Sequence, residues 1–310
     1  MELHTESKLE KILKAGHMAV TSECGPPRSS DPAGIIKKGH LIKDHVDCIN
    51  ITDNQTSVTR LCSLASCIHL RREGLEPVLQ MVVRDRNRIA LQSDLLGAAS
   101  FGINNVLCLS GDHQSFGDHP KAQNVFDIDS MQLIQTVRHM RDEGRFLGGD
   151  EIKVPPRFFV GAAANPFADP FKIRVPRLAK KIAAGAEFIQ TQCVYNLDKF
   201  ELWMKGVVER GLHEKVFILP GITPMRSVGM AKYMARAVPG MDVPAELIKR
   251  ISGVAKDKQA EEGITIAVEA IQRLKEVPGV RGFHIMAIEW EEKVPEIVER
   301  AGLYPRPTVA

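Results

Sequence analysis

The chain has 310 residues, 44% hydrophobic and 25% charged, a mix that supports a packed core and excludes wholesale disorder. Its 41 basic and 38 acidic residues are spread along the chain and leave a formal net charge of +3, which is not the footprint of a nucleic-acid or membrane-surface protein. Aromatic residues, at 5%, are too few for a base-stacking platform, and no apolar run reaches the length of a membrane span.

The segment from Met1 to Lys14 is charged and helix-like, with no apolar signal core, so a cytoplasmic location is expected. A strand is predicted over 19–24 and another over 48–52, each short and apolar. An amphipathic helix over 58–72 follows, with Leu61, Leu64, Ala65 and Ile68 on one face. A strand over 78–83, a helix over 87–99 and a strand over 106–110 come next, then the longest polar loop, 111–127. The helix over 129–143 opens at a capping aspartate. After the strand over 158–163, the helix over 175–184 stops at Gly185. The strand over 188–193, helix over 197–209 and strand over 216–220 lead to a helix over 224–237 with proline in its first turn. Two helices, 244–252 and 257–276, precede the last strand, 283–288.

Eight strands alternating with helices imply a parallel sheet, either open and doubly wound or closed as a barrel. No Gly-x-Gly-x-x-Gly follows the first strand, which lowers the open nucleotide-binding sheet. The fold class expected is α/β, a (β/α)8 TIM barrel. No long linker divides the chain, so one domain over 1–310 is expected. None of the six cysteines forms a C-x-x-C pair, which argues for reduced buried thiols and no metal site.

A barrel carries its site at the C-terminal strand ends. Those ends hold Glu23, Thr52, Gln80 with Asp85 just beyond, Asp112, Asn165, Gln192, Gly221 and His284, a polar ring on apolar strands. Glu23 precedes a rigid Pro-Pro turn. It is either a partly desolvated carboxyl suited to proton donation or a partner of Arg28. Asp112 follows Gly111, which permits close approach of a flat ligand; it either accepts hydrogen bonds from a heterocycle or simply serves the turn. Gln192 offers an amide to a pterin or flavin edge, or to neighbouring backbone. Arg177, Lys180 and Lys181 share one helix and could touch phosphate, a solvated helix face being the default.

Five segments then resemble one family. Glu23-Cys-Gly-Pro-Pro-Arg28, Leu109-Ser-Gly-Asp112, Ala184-Gly-Ala-Glu-Phe-Ile-Gln-Thr-Gln192, Leu219-Pro-Gly-Ile-Thr-Pro224 and Gly282-Phe-His284 are similar, in order and spacing over about the whole chain, to motifs of the methylenetetrahydrofolate reductases. The resemblance implies a barrel that binds a flavin, FAD or FMN, at its mouth and passes hydride to 5,10-methylenetetrahydrofolate to give 5-methyltetrahydrofolate. It implies that Glu23 is the acid that protonates folate N10. Asp112 would stabilise the cationic iminium and tune the flavin, Gln192 would orient the pterin, and Thr52 would sit at the flavin's reactive edge. Lys180 and Lys181 match basic flavin-phosphate contacts, with Arg177 beside them; Gln80, Ser110, Gly111 and Asn165 complete the cofactor set. No room is left for the C-terminal regulatory domain of the eukaryotic enzymes.

The chain departs from the family pattern in several places. Gln80 and Asn165 stand where the family has histidine, Ser110 where an arginine holds the dinucleotide phosphates, and Gly161 where a tyrosine is usual. Met234 replaces a phenylalanine and Trp290 an arginine. These departures bring FMN forward beside FAD, and an electron-donating partner subunit forward beside NADH. An oligomer or hetero-complex is expected. Two other readings stand next to the reductase: a pterin-binding methyltransferase barrel without flavin, and a non-catalytic partner subunit.

Overall fold

Short runs of apolar and β-branched residues, buried on both faces, build the framework of the computed structural model, which describes residues 3–238 and 240–309. The strands are β1 (Ala19–Cys24), β2 (Cys48–Ile51), β3 (Pro77–Val82), β4 (Asn105–Leu109), β5 (Phe159–Ala164), β6 (Phe188–Cys193), β7 (Phe217–Ile222) and β8 (Gly282–Ile285). Each pairs in parallel with the next, and β8 returns to β1, so the sheet closes as an eight-stranded (β/α)8 barrel.

The outer layer runs in chain order: α1 (Lys8–Lys14), α2 (Ala33–Ile42), α3 (Ser63–Arg72), α4 (Arg88–Ser100), α5 (Ser130–Asp142), α6 (Arg174–Ala184), α7 (Leu197–Glu209), α8 (Val228–Ala237), α9 (Ala245–Ser252), α10 (Gln259–Lys275) and α11 (Val294–Arg300). Where a side chain can take up the orphan N–H groups of a first turn, the helix starts there. Asp129 does so for α5 in a full capping box with Gln132, and Asn87 for α4.

The same rule corrects two expected starts. The helix expected over 58–72 begins only at Ser63, because the Cys62 thiol accepts the Ala65 N–H at 3.4 Å, while Leu61 N–H donates to the Pro27 carbonyl instead. The helix expected over 224–237 begins at Val228, where the Ser227 hydroxyl accepts the Met230 N–H at 3.2 Å. Two helices have no counterpart in the sequence reading. α2 carries Gly34 and Gly39 and lacks a side-chain cap, and α11 is only seven residues long, too short for a periodic pattern, so local propensity marks neither.

Alternation along the strands divides the barrel interior into layers. The lower layer is apolar: Ala19, Cys48, Val78, Leu107, Phe159, Phe188 and Leu219 cluster with Leu9, Ile12 and Leu13 of α1, which plugs the bottom. Two residues further along the strands the interior turns polar, with Thr21, Asn50, Gln80, Gln190 and His284, all buried. Between barrel and helices lies the main apolar core. Cys24, Cys48, Cys67, Cys108 and Cys193 are buried free thiols, and burial pushes each thiol's pKa up, that of Cys193 to about 12. Among the described residues, no helix is long and apolar enough to cross a membrane.

Candidate active site at the barrel mouth

The polar upper layer opens into a cleft of about 370 Å³ at the C-terminal strand ends. That volume lies at the small end of the range usual for ligand pockets, roughly 300–1,000 Å³. Glu23, near the end of β1, and Gln80 of β3 form its floor, and Gln80 Nε2 donates to Glu23 Oε2 at 3.0 Å. Gln55 Nε2 reaches Glu23 Oε1 at 3.5 Å, and His284 Nε2 stands 3.8 Å from Glu23 Oε2. Arg28 does not pair with Glu23; its guanidinium bonds Asp118 at 2.6 Å. Gln192 lines the same cleft from β6, and its amide oxygen accepts the Cys193 N–H at 3.0 Å.

One wall is cationic. Arg174, Arg177 and Lys181 lie along one face of α6 and line the cleft, whereas Lys180 is exposed and lies outside the lining. Arg174 Nε is buried without a hydrogen-bond partner. Lys181 Nζ donates to the Ala163 carbonyl, and its pKa is lowered from 10.5 to about 8 by burial first and by the Arg177 charge second. Ser110 faces Ser130 across the lining at 3.1 Å between hydroxyls. Asn165 also lines the cleft; its amide oxygen accepts the Phe167 and Ala168 N–H groups, and its Nδ2 donates to the Gly240 carbonyl.

Asp112 stands apart from Glu23 and Gln192. It is exposed, does not line the cleft, and its carboxylate accepts the Thr56 N–H at 2.8 Å. Thr56 reaches it in a left-handed conformation, φ 55°, one of several such residues in the loop after β2. Gly111 also has a positive φ, 86°, and a side chain there would come within 3.1 Å of Val82 Cβ. Thr52 is buried beside the mouth but outside the lining, with its hydroxyl unpartnered.

Residues that the motifs passed over hold this arrangement. Arg84, 2% exposed, forms a two-pronged pair with Asp85 at 2.7 Å and donates to the Asp112 carbonyl at 2.9 Å, pinning the base of the loop that follows β4. The Asp85 hydrogen bonds hold the Arg84 pKa above its ordinary value. Arg174 was missed as well. Its spacing of three and seven residues from Arg177 and Lys181 is the signal that would have placed it on their face.

The closed parallel barrel thus gathers a carboxyl, amides and guanidinium groups around one cleft at its C-terminal mouth, the end at which barrels of this class carry their small-molecule sites. A family model for methylenetetrahydrofolate reductase matches residues 8–302, and the chain belongs to that family. It is 28% identical over 258 residues to methylenetetrahydrofolate reductase 2 of Schizosaccharomyces pombe, covering 77% of this chain and 36% of the relative. To a probable methylenetetrahydrofolate reductase (NADPH) of Caenorhabditis elegans it is 24% identical over 258 residues, covering 81% and 36%. The matches thus span about a third to a half of the length of these curated relatives. Among solved structures, a Clostridium thermocellum protein described as binding two copies of 5-methyl-5,6,7,8-tetrahydrofolic acid shares the fold, with a TM-score of 0.65, 14% identity and coverage of 94% of this chain and 97% of that one.

Proposed function

We propose that this chain, as a single flavin-binding barrel domain in the cytoplasm, reduces 5,10-methylenetetrahydrofolate to 5-methyltetrahydrofolate. The observation that carries the reading is the Glu23 carboxyl on the cleft floor, bonded to Gln80 and sharing the lining with Gln192. It stands on the family membership, because the motif that supplies Glu23 also supplies the role.

The residues present fit a flavin. Arg174, Arg177 and Lys181 supply cationic donors for phosphate, and the buried, unpartnered Arg174 Nε lacks the acceptor that a phosphate oxygen would provide. Ser110, Ser130 and Asn165 line the space next to that wall. A bound flavin supplies the hydride in this chemistry. Glu23 holds the proton destined for folate N10, and Gln80 fixes the carboxyl's orientation. Gln192 offers its amide to the pterin edge. Asp112, whose carboxylate accepts the Thr56 N–H outside the cleft, is the residue that the family motif assigns as the second carboxylate toward the cationic intermediate. The cationic wall supplies donors for a flavin phosphate, in FMN as in FAD.

The deciding experiment is the Glu23→Gln variant of the purified chain. Flavin, seen by its visible absorption, stays bound, while folate turnover falls about 10²- to 10⁴-fold, the range for loss of a general acid. Turnover at the wild-type rate would remove Glu23 from that role. A colourless protein would favour the flavin-free pterin methyltransferase, and mass analysis of the released cofactor separates FMN from FAD. Rapid bleaching by NADH alone would identify the nicotinamide as the donor and dispense with an electron-donating partner subunit.

A further inference from the structure

Asp112 lies outside the cleft lining, so its place is set by loop contacts rather than by the cleft. Those contacts converge on one buried cation just beyond the end of β3. Arg84 Nη1 donates to the Asp112 carbonyl at 2.9 Å, and the Arg84 carbonyl accepts the Val125 N–H at 2.7 Å. A single residue thus holds the polar loop after β4 near both of its ends.

The same guanidinium reaches the loop after β2. Its Nη2 stands 3.4 Å from the Asn54 carbonyl, and Asn54 Nδ2 donates at 3.4 Å to Asp85, the carboxylate that Arg84 grips. Asn54, Thr56 and Ser57 all have left-handed backbone, with φ of 44°, 55° and 58°. Residues other than glycine keep such angles only where their surroundings fix them. The Arg84–Asp85 pair does so at Asn54. The loop after β4 does so at Ser57, where Gly117 packs so closely that a side chain on it would collide with the Ser57 carbonyl. The turn fixed in this way aims the Thr56 N–H at the Asp112 carboxylate, at 2.8 Å. Asp112 is therefore held twice from one origin: its carbonyl directly, its carboxylate through the turn.

We propose that Arg84 is a positioning residue for Asp112, setting where that carboxylate stands. The inference rests on the role that the family motif gives Asp112. A planar fork of N–H donors serves the Asp85 carboxylate and the Asp112 and Asn54 carbonyls at once, whereas a lysine ammonium is a compact point charge. Asp85 compensates the guanidinium's charge where that side chain is 2% exposed.

The test is a double-mutant cycle on the full flavin-loaded chain, read as single-turnover oxidation of the reduced flavin by 5,10-methylenetetrahydrofolate. Arg84→Lys keeps a cation beside Asp85 and loses the fork. It is expected to lower the limiting rate about ten- to a hundredfold, the effect of a small misplacement of a reacting group, with the half-saturating folate concentration within about twofold of wild type. In the Asp112→Asn background the same substitution changes the rate by no more than about twofold, because the group it positions is already gone. Val125→Pro is the second variant. It removes, at an exposed residue, the N–H accepted by the Arg84 carbonyl and leaves the buried ion pair intact. Its smaller loss of rate is likewise absent in the Asp112→Asn background. A full rate in Arg84→Lys would overturn the inference and leave the reaction in place. So would losses that multiply in the Arg84→Lys cycle or, where that variant does not fold, in the Val125→Pro cycle. A full rate in Asp112→Asn would instead remove the carboxylate's role, and with it anything to position. Reduced flavin that the folate does not oxidise in the wild type would defeat the reaction itself.

Discussion

At the scale of single residues, charge and burial compete at Lys181. Burial and the neighbouring Arg177 lower its pKa to about 8, so it is a cation at neutral pH but loses its proton in mild base. Between about pH 8 and its ordinary 10.5, the unfolded chain keeps a proton that the folded chain has released, so this group's contribution to folding stability rises with pH across that window. Affinity for an anion runs the other way, because only the charged amine attracts phosphate. FMN affinity, measured by quenching of flavin fluorescence, is therefore expected to weaken as the pH rises through about 8, and the Lys181→Met variant to bind weakly without that pH dependence. A wild-type affinity flat from pH 7 to about 9.5 would count against contact between Lys181 and the cofactor.

At the scale of elements, the barrel's tolerance is set where a helix meets a strand exit. Gly263 of α10 packs on the turn after β7, and a methyl group there would fall 1.9 Å from the Met225 carbonyl oxygen. Alanine normally favours a helix over glycine by about 1 kcal/mol. Here the backbone cannot yield cheaply, so Gly263→Ala is expected to destabilise the fold by about 1–3 kcal/mol net, seen as a lower urea midpoint. The cap of α5 offers a milder case. Asp129 accepts the Met131 and Gln132 N–H groups at 2.8 Å, and Asp129→Ala is expected to cost about 1 kcal/mol by the same measurement, with Asp129→Asn close to wild type.

At the scale of the whole molecule, the barrel is apolar below and polar above, and α1 closes its lower end. Leu9, Ile12 and Leu13 are fully buried against the bottom layer. Leu13→Ala is expected to lower stability by about 2–5 kcal/mol, measured by urea unfolding followed by circular dichroism, with the cleft at the other end keeping its ligand affinity below the transition. A parallel loss of flavin binding in the folded protein would mean that the plug and the mouth are coupled. The C-terminal segment is tied to the same end: Arg306 bonds Asp47 at 2.6 Å, and Asp47 accepts the Val20 N–H at 2.7 Å.

The sequence by itself determined the strands, because residues buried on both faces must be apolar and short runs of them are visible without any partner. Alternation with helices then limited the architecture, and five spaced motifs marked the family. Only the tertiary structure decided which polar residues meet. Glu23, Gln80 and Gln192 share one cleft, while Asp112 turns to Thr56 and Lys180 to solvent, since loop direction and helix facing depend on packing between distant segments. The buried hydrogen-bonded layer of Asn50, Gln190, Thr21 and His284 was foreshadowed only as polar residues at two-residue spacing in apolar strands. Its partners lie up to 263 positions apart, and closure of the barrel, not local propensity, brings them within hydrogen-bonding distance.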